Sequence, residues 1–125
     1  MKKDIADRKH IELLMEVFYQ KLLNDPGISY IFTEVAKIDL AHHLPIITDF
    51  WESTLLNNNV YHNNTMKVHT DLNARSKLSK EHFTIWLSHF HQTVDELFEG
   101  EIANRAKQRA TSVATIMQIK MAQGL

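Results

Sequence analysis

The chain reads as an all-α domain of about five or six helices. Two observations predict this. Apolar residues in the long segments recur at the 3.6-residue period of a helix. Only three glycines and two prolines interrupt 125 residues, too little punctuation for a sandwich or barrel, which needs turn residues every few positions. One domain spanning residues 1–125 is expected, with a core of modest size.

The first helix runs from Ile11 to Leu23, with the stripe Ile11, Leu14, Met15, Phe18 and Leu22. Asp25-Pro26-Gly27 makes a turn. Ile28 to Lys37 predicts a short helix carrying Ile31, Phe32 and Val35. Asp39 is placed to cap the next helix. Pro45 predicts a kink near Leu44, or a new helix with proline in its first turn. The pattern continues through Ile47, Phe50, Trp51, Thr54 and Leu55. The asparagine-rich run from Asn57 to Asn64 reads as a loop, followed by a short helical turn over Met66 to Leu72. Ser79 caps the strongest pattern, with Phe83, Trp86, Leu87, Phe90, Val94 and Leu97 in line. After Gly100 a last helix spans Glu101 to Gln123, bearing Ile102, Ala106, Ala110, Val113, Met117 and Met121.

Composition excludes several functions. Fourteen basic and 15 acidic residues leave a net charge of −1, without the basic patch expected of a nucleic-acid or membrane-surface protein. Lys2-Lys3 is followed by no apolar run, so no signal peptide is expected, and no stretch suits a bilayer span. Eight histidines and no cysteine remove disulfides and thiolate ligands together and fit a cytoplasmic protein. Imidazole remains as the candidate metal ligand.

Taken singly, the histidines lean towards structure. His10, His62, His82 and His91 sit among polar residues and read as solvated surface groups. His82 and His89 share a helix face but lack a third ligand, and no paired Glu-x-x-His pattern occurs. His69 differs, because Met66, Val68 and Leu72 surround it with apolar side chains. Such a histidine suits the proximal side of a haem iron. One histidine is nevertheless a weak motif, and a ring satisfied by a backbone carbonyl is the simpler account. Tyr19 and Trp86 lie beside or on core stripes, where packing alone accounts for them.

In order and spacing, several short motifs act together. They are Phe18-Tyr19, Ile31-Phe32, His43-Leu44-Pro45, Asp49-Phe50-Trp51, Lys67-Val68-His69-Thr70-Asp71-Leu72 and Ile85-Trp86-Leu87-Ser88-His89-Phe90. The tail Thr93-Val94-Asp95-Glu96-Leu97-Phe98, with Ala103, Ala106, Arg109 and Ala110, extends them over essentially the whole chain. Together they resemble the third group of truncated haemoglobins. The chain has no Gly-Gly pair, as that group implies. The resemblance implies a two-over-two helical sandwich around a b-type haem. It implies His69 as the iron ligand, and Tyr19, His43 and Trp86 as the distal ligand pocket, with His42 a competitor for the histidine role. Phe32, Phe50 and Trp51 match aromatic positions near the haem or its surrounding core. Leu72 joins them on the cofactor side, and Lys67 and Arg75 are candidates for the propionates by charge.

The implied function is reversible binding of O2, CO or NO, with two hydrogen-bond donors, Tyr19 and Trp86, favouring tight O2 binding. An alternative is NO dioxygenation or peroxidase-like chemistry on peroxide, assisted by His43. That would need a separate reductase, since no Gly-rich nucleotide fingerprint is present. A second alternative is a helical interaction module with no cofactor. A monomer that binds neither nucleic acid nor membrane is expected.

Overall fold

The computed structural model describes residues 2–35, 37, 39–57 and 78–122. Within them the order is α1 (Arg8–Leu23), a π-helical turn (Ile31–Val35), α2 (Leu40–Leu56), α3 (Lys80–Leu97) and α4 (Glu101–Ala122). The expected helical turn over 66–72, and with it His69, Lys67, Leu72 and Arg75, lies outside the described residues.

α1 begins three residues before the periodic pattern because Asp7 caps it, its carboxylate accepting from the His10 N–H at 3.1 Å. Its apolar stripe Ile11, Leu14, Met15, Phe18, Tyr19 and Leu22 is fully turned inward. The Asp25 carboxylate accepts from Gly27 N–H at 2.9 Å and shapes the turn that follows. The short helix expected over Ile28 to Lys37 is present, wound as a π-helical turn at Ile31–Val35. Lys37, in the left-handed region at φ 51°, ends it.

Asp39 caps α2 as its position predicts, accepting from Ala41 N–H at 3.2 Å. Pro45 starts no new helix, for α2 runs from Leu40 through it, beyond the first turn. Proline removes the donor that would reach the Ala41 carbonyl. Ala41 and Pro45 both lie on the exposed side, where a freed carbonyl is open to solvent. Asn57, left-handed at φ 61°, closes the helix.

Ser79 caps α3 through a reciprocal box. Its hydroxyl accepts from His82 N–H at 3.2 Å, and the His82 ring accepts from Ser79 N–H at 3.1 Å. His82 is therefore half-buried and bonded, also meeting the Tyr30 hydroxyl at 2.7 Å, rather than simply solvated. The same correction applies to His10, packed against Phe98 at 5.4 Å between ring centres. It applies again to His91, 3.1 Å from the Lys107 carbonyl and from Thr111 Oγ1. His62 lies outside the described residues.

α1 packs on α2 and α3, and α3 packs on α4. One core joins Ile11, Leu14, Phe18, Trp51, Leu55, Phe90 and Val94. Ala103, Ala106 and Ala110 form the inner stripe of α4, small enough for close helix approach. Phe83, Ala114 and Met117 extend the apolar interior along the α3–α4 contact. No helix among the described residues is long and apolar enough to cross a membrane.

Candidate functional site

The site grows from the inner faces of three helices. Tyr19 follows Phe18 on α1 and is fully buried among apolar groups, which pushes its phenol well above the ordinary value. The ring therefore stays neutral and needs a hydrogen-bonding partner. It has one across the helix contact, the hydroxyl lying 2.9 Å from His43 Nε2. Their rings meet edge to face at 5.2 Å, and Phe32 from the π-helical turn meets Tyr19 at 5.8 Å. His42, one residue earlier on α2, points to solvent. The helical turn of 100° per residue separates the two imidazoles, and only His43 shares the inner face.

Trp86 on α3 supplies the second polar edge. It is half-buried, its face stacked on Phe90 at 5.7 Å and its edge against Phe18 at 5.6 Å. Its indole N–H can only donate. Trp51 is part of the core, 1% exposed, stacked on Phe90 at 4.8 Å and edge-on to Phe50 at 5.3 Å. Phe32, Phe50, Leu44, Ile47, Ile85 and Trp86 are all half-buried apolar side chains packed against that core.

Tyr19, His43 and Trp86 are thus brought to one aromatic-walled region from α1, α2 and α3. Partly buried apolar side chains, Phe32, Leu44, Ile47, Phe50 and Ile85, accompany these polar groups. Those features fit a haem. Among the described residues, no three His, Asp or Glu side chains gather to hold a bare metal ion.

Sequence spacing missed a second polar pair. His89 Nε2 lies 2.7 Å from Asp25 Oδ2, tying α3 to the turn after α1. The His89 bond first, and Gly27 N–H second, hold the Asp25 carboxyl below its ordinary value. His89 Nδ1 is buried without a hydrogen-bond partner among the described residues. His82 and His89, which share a helix face in sequence, have separate partners. No local signal links residues 64 positions apart.

The architecture is that of a truncated globin. It superposes on the crystal structure of a group III truncated haemoglobin from Campylobacter jejuni with a TM-score of 0.85, at 29% identity, over 97% of this chain and 95% of the other. A group 3 truncated haemoglobin of Campylobacter jejuni is 30% identical over 121 residues, covering 94% of this chain and 93% of its own length. The chain belongs to the group 3 truncated haemoglobin family, and is a globin-type haem protein. It matches no family model.

Proposed function

We propose that the chain binds haem b through His69 and reversibly holds O2, CO or NO beside Tyr19, His43 and Trp86. One observation carries the reading: the buried Tyr19 hydroxyl sits 2.9 Å from His43 Nε2, and Phe18 joins Tyr19 to Trp86 through ring contacts of 5.5 and 5.6 Å. Haem, when bound, would supply an iron able to bind a diatomic gas. The chain's residues do the rest. Tyr19 and Trp86 offer donors to the electronegative end of O2, and the apolar side chains of Phe32 and Phe50, packed against the core that holds Trp51, lower the local polarity and so strengthen each bond. Leu72, by resemblance, and Lys67 and Arg75, by charge, are the candidates for further contacts with the cofactor.

A neutral hydrogen bond contributes roughly 0.5–1.5 kcal/mol. Two therefore slow O2 release by about one to two orders of magnitude, which suits tight binding better than delivery. The protein acts as a cytoplasmic monomer of one domain. The test has two parts. An intense Soret band on haem addition, weakened or altered in His69→Ala, reports the cofactor. Stopped-flow O2 dissociation from wild type, Tyr19→Phe and Trp86→Phe then reports the donors, and equal rates in all three would remove them.

The Tyr19–His43 contact supports a second reading, in which His43 relays a proton during peroxide cleavage or the pocket supports NO dioxygenation. Either needs electrons from a separate reductase. A cofactor-free helical module is the outcome if no haem is taken up.

A further inference from the structure

Trp86 can donate to a gas ligand only if its indole plane is fixed. The torsion joining an indole ring to its Cβ is broad and roughly two-fold, so the side chain does not fix its own plane. Rotating that torsion by half a turn sends the N–H to the opposite side. The fixation must come from neighbours. Trp86 is half-buried, so the core surrounds it on part of its surface only.

Two rings supply the contact. Phe90 follows Trp86 by one helical turn and is 0% exposed, so the two share a face of α3. Its ring lies nearly parallel to the indole, at 18° and 5.7 Å between centres. Phe18 from α1 meets the indole edge-on, at 76° and 5.6 Å. Phe90 is itself held from two other helices. Trp51 on α2 stacks on it at 26° and 4.8 Å, and Phe18 meets it at 88° and 5.2 Å. Trp51 and Phe18 are each 1% exposed.

We propose that Phe90 is a positioning residue, which transmits the rigid α1–α2 core to the Trp86 indole and so fixes the direction of its N–H towards the gas ligand. The inference rests on the donor role given to Trp86 above. It assigns Phe90 no contact with the ligand. Its side chain is closed off from the site, and it acts through the plane of the neighbouring ring.

The test is a double-mutant cycle with a second readout on the chain itself. Phe90→Leu keeps an apolar side chain but removes the flat face, and Phe90→Met serves if the leucine variant folds poorly. The chain has two tryptophans, so the indole N–H of Trp86 is one of two cross-peaks and is assigned by its loss in Trp86→Phe. In the CO-bound protein its 15N order parameter should sit near the rigid value of about 0.85, and fall towards about 0.6 in either Phe90 variant.

O2 release should accelerate about tenfold in Trp86→Phe and about three- to tenfold in Phe90→Leu. In the Trp86→Phe background, Phe90→Leu should leave the release rate unchanged while still lowering Tm. A merely structural role would lower Tm and move the rate equally in both backgrounds, which overturns the proposal. So does an indole order parameter that stays rigid without Phe90. If Trp86→Phe releases O2 at the wild-type rate, the donor role fails and the inference falls with it. The order parameter then still shows whether Phe90 holds the ring.

Discussion

Asp4 caps a helix that begins at the far end of the chain, its Oδ1 accepting from the Ala103 N–H at 2.8 Å. Oδ2 accepts from Ile102 N–H at 2.9 Å, across 98 sequence positions. The residue at the cap position of α4 is Gly100, whose carbonyl accepts from Asn104 N–H at 2.9 Å but which has no side chain to cap with. The N-terminal segment supplies the carboxylate instead, held alongside by the Glu99 N–H donating to the Lys3 carbonyl at 3.0 Å. Burial raises the Asp4 carboxyl, but the N–H groups of Ile102, Ala103 and Ile5 outweigh it and hold the group below its ordinary value. Asp4→Ala should cost about 1–2 kcal/mol in chemical denaturation at neutral pH. Because the folded value is depressed, that stability is present above about pH 4 and lost as pH falls further. The wild-type and Asp4→Ala curves should therefore converge in acid. Parallel curves down to the acid transition would show that the carboxylate does not contribute by this route.

Gly100 is required for the same contact. At φ 146° it occupies backbone space that other residues rarely adopt. A Cβ there would lie 2.5 Å from Asp4 Cγ and 2.7 Å from Oδ2. Gly100→Ala should destabilise by about 2 kcal/mol, from backbone strain and displacement of the cap together. In an Asp4→Ala background the glycine change should cost less, since the obstructing carboxylate is gone. Strict additivity in urea melts of the four proteins would rule out that clash.

Tyr19 makes the alkaline limb of stability informative. Its phenol is fully buried and its ionisation is pushed up by desolvation. The unfolded chain ionises at about pH 10 and the folded one only above that. The neutral buried ring thus contributes fully below about pH 10, and stability falls as pH rises beyond it. Tyr19→Phe should lose stability by about 1 kcal/mol at neutral pH, from the lost bond to His43. It should also show a shallower decline above about pH 10. Identical alkaline slopes in thermal melts would mean that Tyr19 is not the group responsible.

The helices were legible because their signals are local. The stripe from Ile11 to Leu22, the caps at Asp39 and Ser79 and the alanine face of α4 each rest on neighbours a few positions apart. Of the two outcomes expected at Pro45, a new helix does not occur, since α2 continues through it with Ala41 and Pro45 on its exposed side. The segment before α2 carries apolar residues at helical spacing and is helical, with a π winding that the spacing does not specify. The pairing of Tyr19 with His43 followed only from resemblance to a family, since residues 24 apart on different helices share no period. Asp4 on α4 and Asp25 on His89 left no trace in the sequence for the same reason.

Arg8 joins α1 to α2 and is the remaining long-range link with a measurable consequence. One guanidinium nitrogen donates to Asp49 Oδ1 at 2.7 Å and to Glu52 Oε1 at 2.6 Å, while Nε faces Glu12 at 3.6 Å. Glu52 first and Asp49 second raise the Arg8 value further, so the cation persists at every accessible pH. The two carboxylates differ in exposure, the Glu52 side chain being 11% exposed and Asp49 32%. The partly exposed arginine lowers the worth of either pair below that of a buried bridge. Arg8→Ala should nevertheless cost about 1–2 kcal/mol, most of it from the charge-assisted bond that Glu52 loses in a poorly solvated position. Arg8→Lys should recover part of the loss, because one ammonium nitrogen can also donate to both acids but gives up the Nε approach to Glu12. Glu52→Gln removes the carboxylate charge while keeping its shape. In that background Arg8→Ala should cost about 0.5 kcal/mol, near the level of an exposed pair. Denaturant midpoints of the four proteins of this cycle decide the matter. An Arg8→Ala cost that is unchanged by Glu52→Gln would place the stabilisation in the arginine's apolar stem rather than in its charge.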